Sequence, residues 1–254
     1  MTLLYNPRNE TLMNRSALYG LPVPEPLGNR HKPISFGTFA DNVATAVTDK
    51  GFEIVEEEYA VNNKNTRMFG LMTISPLEGE FISAKEWEMQ IGLRGAHDRS
   101  LPRGLTLGSN VLVCSNLCFH GDLGVFKTKQ TLNVEERLPE IINNAVDTLP
   151  EMIDHNNRRF DAYRTTEFDK RDGDAALIEL FRRGALSGRQ LPRAIAEWDN
   201  PTFEAHAEDG FNVWRLFNAC TEALKPRGGE TANMNVLRLS SEAVTDAMDM
   251  LVHI

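Results

Sequence analysis

The segment Trp87–Asp122, with the sequence WEMQIGLRGAHDRSLPRGLTLGSNVLVCSNLCFHGD, decides the fold of this chain. Over 87–93, apolar Trp, Met, Ile and Leu alternate with more polar or small residues, which predicts a strand with one buried face. The polar stretch 95–104 then leads to a second predicted strand over 105–117, whose apolar centre is Val111-Leu112-Val113. The segment therefore predicts two neighbouring strands joined by a polar turn.

The residues before this segment predict a helix and a hairpin. The Asn-, Pro- and Gly-rich stretch 1–35 is expected to follow the surface in an extended form. Thr38 is a candidate N-cap for a short helix. Two strands, predicted over 52–61 and 66–75, are joined by 62–65, an Asn-rich turn of residues that tolerate left-handed backbone angles. A β-hairpin is expected here.

The residues after the segment change from strand to helix. A further strand is predicted over 124–128, and from Asn133 onward apolar residues recur at helical spacing, with Pro150 expected to kink or divide the long element. This order predicts an α+β fold, in which a mainly antiparallel N-terminal sheet with a short helix precedes a largely helical C-terminal half. The expected parts are 1–131 and 132–254, packed as one globular unit.

Composition excludes several classes of protein. The chain has 254 residues, 41% of them hydrophobic, which is enough for a sizeable core. It contains no apolar run long enough to span a bilayer, and its N-terminus lacks the pattern of a secretory signal. Three cysteines, an odd and low count, favour reduced thiols. We therefore expect a cytoplasmic protein without membrane contact.

Charge is unevenly distributed along the chain. The net charge is -9, yet residues 94–129 carry five basic and two acidic side chains. Basic side chains bind phosphate oxygens, so this segment is a candidate nucleic-acid interface. Its candidate residues are Arg94, His97, Arg99, Arg103, Lys127 and Lys129. A second basic run over 158–193 is interleaved with acids, and a solvated helical face is its default interpretation.

A metal site and a nucleophilic site are both alternatives in the same segment. Cys114, Cys118, His120 and Asp122 are potential zinc ligands, but two cysteines four residues apart on a strand stand about 13 Å apart. The other interpretation is that the cysteines are small buried hydrophobes. We therefore expect no metal.

His97, Asp98 and Cys114 contain the residue types of a Cys/His/Asp nucleophilic set. The alternative is that Asp98 caps the turn through its own backbone while His97 hydrogen-bonds locally. Neither a catalytic residue nor a cofactor is expected, although an enzyme remains a minority hypothesis.

Four stretches of the sequence resemble a known family. GLRGAHDRSLPRGLTLGSNVLVCSNLCF, FGTFADNVATAVTDKGFEIVEEEYAVN, TRMFGLMTI and VWRLFNACTEALK are similar to recurrent pieces of the phage- and plasmid-associated domain-of-unknown-function family numbered 932. The resemblance implies a protein of phages, prophages or plasmids that acts in a bacterial cytoplasm, and it brings no settled activity. The order of helix, hairpin and further strands also loosely resembles the Rad52-type single-strand annealing proteins, which is a likeness of fold.

Two functional hypotheses follow from different classes. The first is a non-enzymatic phage or plasmid protein of DNA metabolism that binds single-stranded nucleic acid through 87–129, with a role related to annealing or recombination, and that works as a homo-oligomer. The second is a host-interaction or anti-defence protein that acts through protein–protein contacts, to which the acidic runs 56–58 and 204–209 would contribute.

Overall fold

The computed structural model describes residues 10–77, 87–111, 116–119, 126–208, 210–225 and 234–253. The described strands all precede residue 130 and most of the described helices follow it, so the predicted α+β fold with an N-terminal antiparallel sheet is confirmed. In chain order the elements are β1 (Glu10–Met13), α1 (Arg15–Leu18), α2 (Phe36–Asp49), β2 (Phe52–Asn62), β3 (Arg67–Pro76), β4 (Trp87–Ala96), β5 (Arg103–Val111), β6 (Asn116–Phe119), β7 (Phe126–Thr128), α3 (Val134–Val146), α4 (Leu149–Thr165), α5 (Lys170–Arg182), α6 (Leu191–Asp199), α7 (Glu204–Glu208), α8 (Val213–Leu224) and α9 (Met234–Val252).

The chain divides into two compact units, which do not separate at residue 131. The first unit holds the described parts of 1–82, 88–108 and 122–152, and the second holds those of 83–87, 109–121 and 153–254. Helix α3 belongs to the first unit because it packs against α2 and buries Leu138 and Ile142. Sequence order alone does not show this packing.

The strands of the first unit follow one another in the order β1-β2-β3-β4-β5, and β7 pairs with the start of β5. The pairs β1–β2, β2–β3, β3–β4 and β5–β7 are antiparallel. Strand β1 was not predicted, since 10–13 has no clear alternation and its hydrogen bonds come from β2, with Glu10 opposite Asn62. Short helix α1 also replaces part of the extended chain that was expected over 1–35.

The predicted hairpin between β2 and β3 is confirmed, and the side chain of Asn62 organises its turn. The Oδ1 atom of Asn62 accepts hydrogen bonds from the backbone N–H groups of Thr66, at 2.8 Å, and Arg67, at 3.0 Å. The backbone N–H of Asn65 donates to the carbonyl of Asn62 at 2.8 Å. Asn65 has a φ of 55°, in the left-handed region that asparagine tolerates.

The N-cap of helix α2 lies three residues before the predicted cap, Thr38. Ser35 is the N-cap, and its Oγ accepts from the backbone N–H of Thr38 at 2.9 Å. The earlier start places Phe36 and Phe39 on the first turn, where both side chains are buried. Downstream, α3 ends at Val146 and α4 begins at Leu149 with Pro150 in its first turn, so the predicted division at this proline is confirmed.

The predicted strand over 105–117 differs from the observed elements. Strand β5 begins two residues earlier, at Arg103, and ends at Val111, while β6 covers Asn116–Phe119. Residues 112–115 lie outside the described part of the chain.

The second unit has an aromatic core around α8. The rings of Trp214 and Phe217 on α8 lie 5.9 Å apart and contact Phe160 of α4, at 5.2 and 5.9 Å between ring centroids. Helix α8 is buried along most of its length, and the polar side chains of Arg215, Asn218 and Thr221 are buried on it together with its apolar ones. In the described residues, none of the helices combines the length and the apolar character needed to cross a lipid bilayer.

A close approach between α5 and α6 gives a test of this packing. Gly173 of α5 faces the fully buried ring of Trp198, and a Cβ at this glycine would stand 2.1 Å from Cζ2 of the indole. The change Gly173→Ala raises helix propensity by about 1 kcal/mol. The overlap nevertheless outweighs this gain, and we expect the free energy of unfolding to fall by about 2 kcal/mol, measured by urea denaturation. Gly188→Ala is the matched control, because a Cβ at Gly188 would meet nothing within 4 Å. Equal stability of the two variants would contradict this packing.

Candidate nucleic-acid interface

Three segments of the first unit surround a pocket of about 780 Å³. The first is the turn 27–31, the second is the connection 99–102 between β4 and β5, and the third is 129–131, which directly follows β7. We call this the cationic pocket. Its lining residues are Leu27, Gly28, Asn29, Arg30, His31, Arg99, Leu101, Pro102, Lys129, Gln130 and Thr131.

Each of the three segments contributes one cation to the cationic pocket. Arg30, Arg99 and Lys129 are exposed, and within the described chain none of them forms an ion pair. Two nearby cations differ in this respect, because Arg67 pairs with Asp98 at 3.1 Å and Lys32 pairs with Glu135. The described lining includes no acidic residue. The pocket is therefore electropositive within an acidic chain.

Gln130 fixes the segments around the pocket to one another. Its Oε1 accepts from the backbone N–H of Ile34 at 3.2 Å, and its Nε2 donates to the carbonyl of Ala96 at 2.7 Å. Its own backbone carbonyl accepts from the N–H of Lys32 at 3.1 Å. Both ends of one buried amide are therefore satisfied by backbone groups from different segments, which gives the pocket a fixed frame.

Arg103 lies in the interior, although its sequence context suggested a surface contact with phosphate. It is completely buried, its Nη2 donates to the carbonyl of Ile34, and its guanidinium carbon lies 4.6 and 5.2 Å from the ring centroids of Phe36 and Phe39. Burial lowers the pKa of Arg103 to about 9, so the group is still a cation at neutral pH. Its Nε and Nη1 have no partner among the described residues.

Gly95 leaves the space that this buried arginine occupies. A Cβ on Gly95 would stand 2.6 Å from Nη1 and 2.7 Å from Cδ of Arg103. The glycine on β4 therefore allows the long side chain from the neighbouring strand β5 to lie against its backbone.

His97 is also buried, so it does not present a surface contact. Its ring centroid lies 4.1 Å from that of Phe36, and its backbone N–H donates to the carbonyl of Thr66 at 2.7 Å. Burial, and then the positive charge of Arg103, lower the pKa of His97 to about 4. The imidazole is accordingly neutral at physiological pH.

Asp98 caps the turn, as one of the two interpretations of the sequence expected. Its Oδ1 accepts from the backbone N–H of Ser100 at 2.9 Å, and its Oδ2 pairs with Arg67. Cys114, the nucleophile of the alternative interpretation, lies outside the described residues.

The potential zinc ligands lie largely outside the described residues. His120 and Asp122, like Cys114, lie outside the described chain, and the side chain of Cys118 is not described. In the described part, no group of three or more His, Cys, Asp or Glu side chains could hold a metal ion. Cys220 is a buried thiol on α8, and burial raises its pKa.

The predicted basic residues separate into three groups. Arg99 and Lys129 line the cationic pocket, whereas His97 and Arg103 are buried. Lys127 is exposed on β7 and does not line the pocket. Arg94, half-buried on β4, lies across Gly104 of β5, where a Cβ would stand 3.2 Å from its Nε.

Sequence reasoning missed Arg30 and His31. Both lie in a stretch without periodicity, and the only signal was a basic Arg-His-Lys triplet at residues 30–32 between Asn29 and Pro33.

The second basic run belongs to the second unit, and its charges are mostly compensated there. Arg158 pairs with Asp154 one turn before it on α4, and Arg183 pairs with Glu179. Arg159 is buried and forms a two-point ion pair with Asp249, at 2.9 and 3.0 Å. These pairs agree with a solvated helical face, apart from the buried Arg159.

No family model, curated protein or solved structure matches this chain. The resemblance to the domain family and to the annealing proteins therefore stays an expectation from the sequence.

Substitution of Arg103 tests how the interior around the pocket is stabilised. Arg103→Met keeps the long side chain and removes a buried charge that has no carboxylate partner, so we expect the free energy of unfolding to stay within about 1 kcal/mol of the parent. Arg103→Ala leaves a cavity beside Phe36 and Phe39 and is expected to cost about 3 kcal/mol. Both values can be measured by urea denaturation. A loss in the Met variant as large as that in the Ala variant would show that the charge itself stabilises the fold, against this account.

Proposed function

We propose that this protein binds single-stranded nucleic acid through the cationic pocket, as a non-enzymatic protein of phage or plasmid DNA metabolism. The observation that carries the proposal is the set of three cations without ion pairs, Arg30, Arg99 and Lys129, around one pocket that has no acidic residue in its described lining. The role in DNA metabolism rests on the family resemblance of the sequence.

The chemistry of the three cations suits phosphate oxygens. The planar guanidinium groups of Arg30 and Arg99 can each donate two parallel hydrogen bonds to a phosphate, while the ammonium group of Lys129 acts as a point charge. The three groups come from separate segments whose backbones Gln130 connects, so the backbone of the pocket needs little reorganisation on binding.

Recognition of phosphate rather than of base is expected. No Phe, Tyr or Trp is among the described lining residues of the pocket, and the ring of His31 is buried, so base stacking has no platform there. Phe126 on the neighbouring strand β7 offers no platform either, because it is buried against Phe39 at 6.4 Å between ring centroids. Binding should therefore be independent of base sequence and sensitive to salt.

The overall charge of the protein limits the affinity. At a net charge of -9, the surface away from the pocket repels a polyanion. Salt screens this repulsion over about 8 Å at physiological ionic strength, whereas direct contacts inside the pocket are screened less. The parent protein should therefore bind a strand locally and with modest affinity.

The triple change Arg30→Ala, Arg99→Ala and Lys129→Ala tests the proposal. Each lost phosphate contact reduces the slope of log K against log salt by about 0.7 for a single strand, so the triple variant should lose about 2 units of slope. Its affinity for an unphosphorylated oligothymidylate should also fall. Fluorescence anisotropy over a series of salt concentrations measures both quantities.

A second triple variant provides the matched control. Lys64→Ala, Arg171→Ala and Arg182→Ala remove the same charge from exposed positions outside the pocket, so the slope should stay close to that of the parent. Arg103→Met should bind like the parent, because its guanidinium does not reach the surface. Equal losses of slope and affinity in both triple variants would mean that net charge alone explains the effect. Absence of binding by the parent protein at low salt would contradict the proposal.

A further inference from the structure

His31, which lines the cationic pocket, has one ring nitrogen committed to the protein and one without a partner. The backbone N–H of Leu27 donates to Nδ1 of His31 at 3.0 Å. The other nitrogen, Nε2, is buried and has no partner among the described residues, and the whole side chain is only 7% exposed. Buried polar atoms in proteins form hydrogen bonds, so we expect a hydrogen-bond partner for Nε2 from outside the described chain.

The hydrogen bond from Leu27 fixes the tautomer of His31. A nitrogen that accepts a hydrogen bond carries no proton, and a neutral imidazole has one protonated nitrogen, so the proton of His31 is on Nε2. Burial, and then the positive charge of Arg99, lower the pKa of His31, which keeps the ring neutral at physiological pH. Nε2 is therefore a fixed N–H donor whose missing partner is an acceptor.

The pocket combines this donor with a high density of positive charge. Arg30, Arg99 and Lys129 surround a volume of about 780 Å³, which is in the range of pockets for small ligands. An internal phosphodiester brings one negative charge, whereas a phosphomonoester brings about -1.5 to -2 at neutral pH and three strong acceptor oxygens. Three cations and one neutral donor match the phosphomonoester better.

We propose that the cationic pocket binds the terminal phosphomonoester of a nucleic-acid strand, with the Nε2–H of His31 donating to one of its oxygens. The proposal rests on the proposed function and makes it narrower, since it names the end of the strand as the group that enters the pocket. A free mononucleotide carries the same chemistry, so the experiment has to separate the two sources.

The experiment compares three forms of one internally labelled oligothymidylate: with a 5′-phosphate, with a 3′-phosphate, and with hydroxyl groups at both ends. Fluorescence anisotropy at fixed salt should show that at least one phosphorylated form binds about tenfold more tightly than the unphosphorylated strand, the gain expected from an added charge-assisted hydrogen bond. Unlabelled thymidine monophosphate is the competitor that reports on a free nucleotide.

Two variants test whether the preference for a phosphorylated strand arises from the cationic pocket. His31→Asn retains an oxygen that can accept from the N–H of Leu27 and lacks the Nε2 donor. The affinity of this variant for the phosphorylated strand should therefore fall to about its affinity for the unphosphorylated strand. Lys129→Met changes an exposed residue and should also reduce the preference without affecting folding. If His31→Asn has a lowered melting temperature, the result for Lys129→Met decides whether the pocket recognises the terminal phosphate.

Each outcome separates this inference from the proposed function. Equal affinity for the three strands, or a preference unchanged in Lys129→Met, would overturn the inference and leave strand binding intact. Competition by thymidine monophosphate as strong as by the phosphorylated strand, together with no binding of the unphosphorylated strand, would support phosphomonoester recognition and reject nucleic acid as the ligand. Tighter binding of a phosphorylated strand, together with weak competition by thymidine monophosphate, would support both the inference and the proposed function.

Discussion

The backbone of Ile34 joins the segments around the cationic pocket, because two buried side chains hold both of its polar groups. Its N–H donates to Gln130, and its carbonyl accepts from Arg103. Through these bonds the chain before α2 is joined to β5 and to the segment after β7. The turn that carries Arg30 and His31 lies directly before this point, so the geometry of the cationic pocket follows from it.

Much of the fold could be predicted from the sequence, because alternation and helical spacing report which face of an element is buried. Long-range pairing has no such local signal, which explains why β1 was missed. Arg103 is an instructive case: it is in phase with Leu105 and Leu107, two residues that the structure buries on β5. Alternation therefore contained the evidence for its burial, but a basic residue beside a polar turn suggested exposure instead.

The candidate site was predictable in part for the same reason. Arg99 and Lys129 were found from charge, which is visible in the sequence. Arg30 joins them only because Gln130 brings distant segments together, and nothing near residue 30 reports that contact. What these three cations share is that they line one pocket and have no carboxylate partner in the described residues, although acidic side chains outnumber basic ones overall.

The central claim is that a neutral His31 presents its Nε2–H to a phosphate held by the cationic pocket. The most direct measurement is a long-range proton–nitrogen NMR spectrum of the imidazole rings during titration with an oligothymidylate phosphorylated at both ends. The account predicts that His31 carries its proton on Nε2 in the free protein and that this nitrogen shifts on titration, while His206 in the second unit does not. A proton on Nδ1, or a His31 signal that stays unchanged while the strand binds, would contradict it.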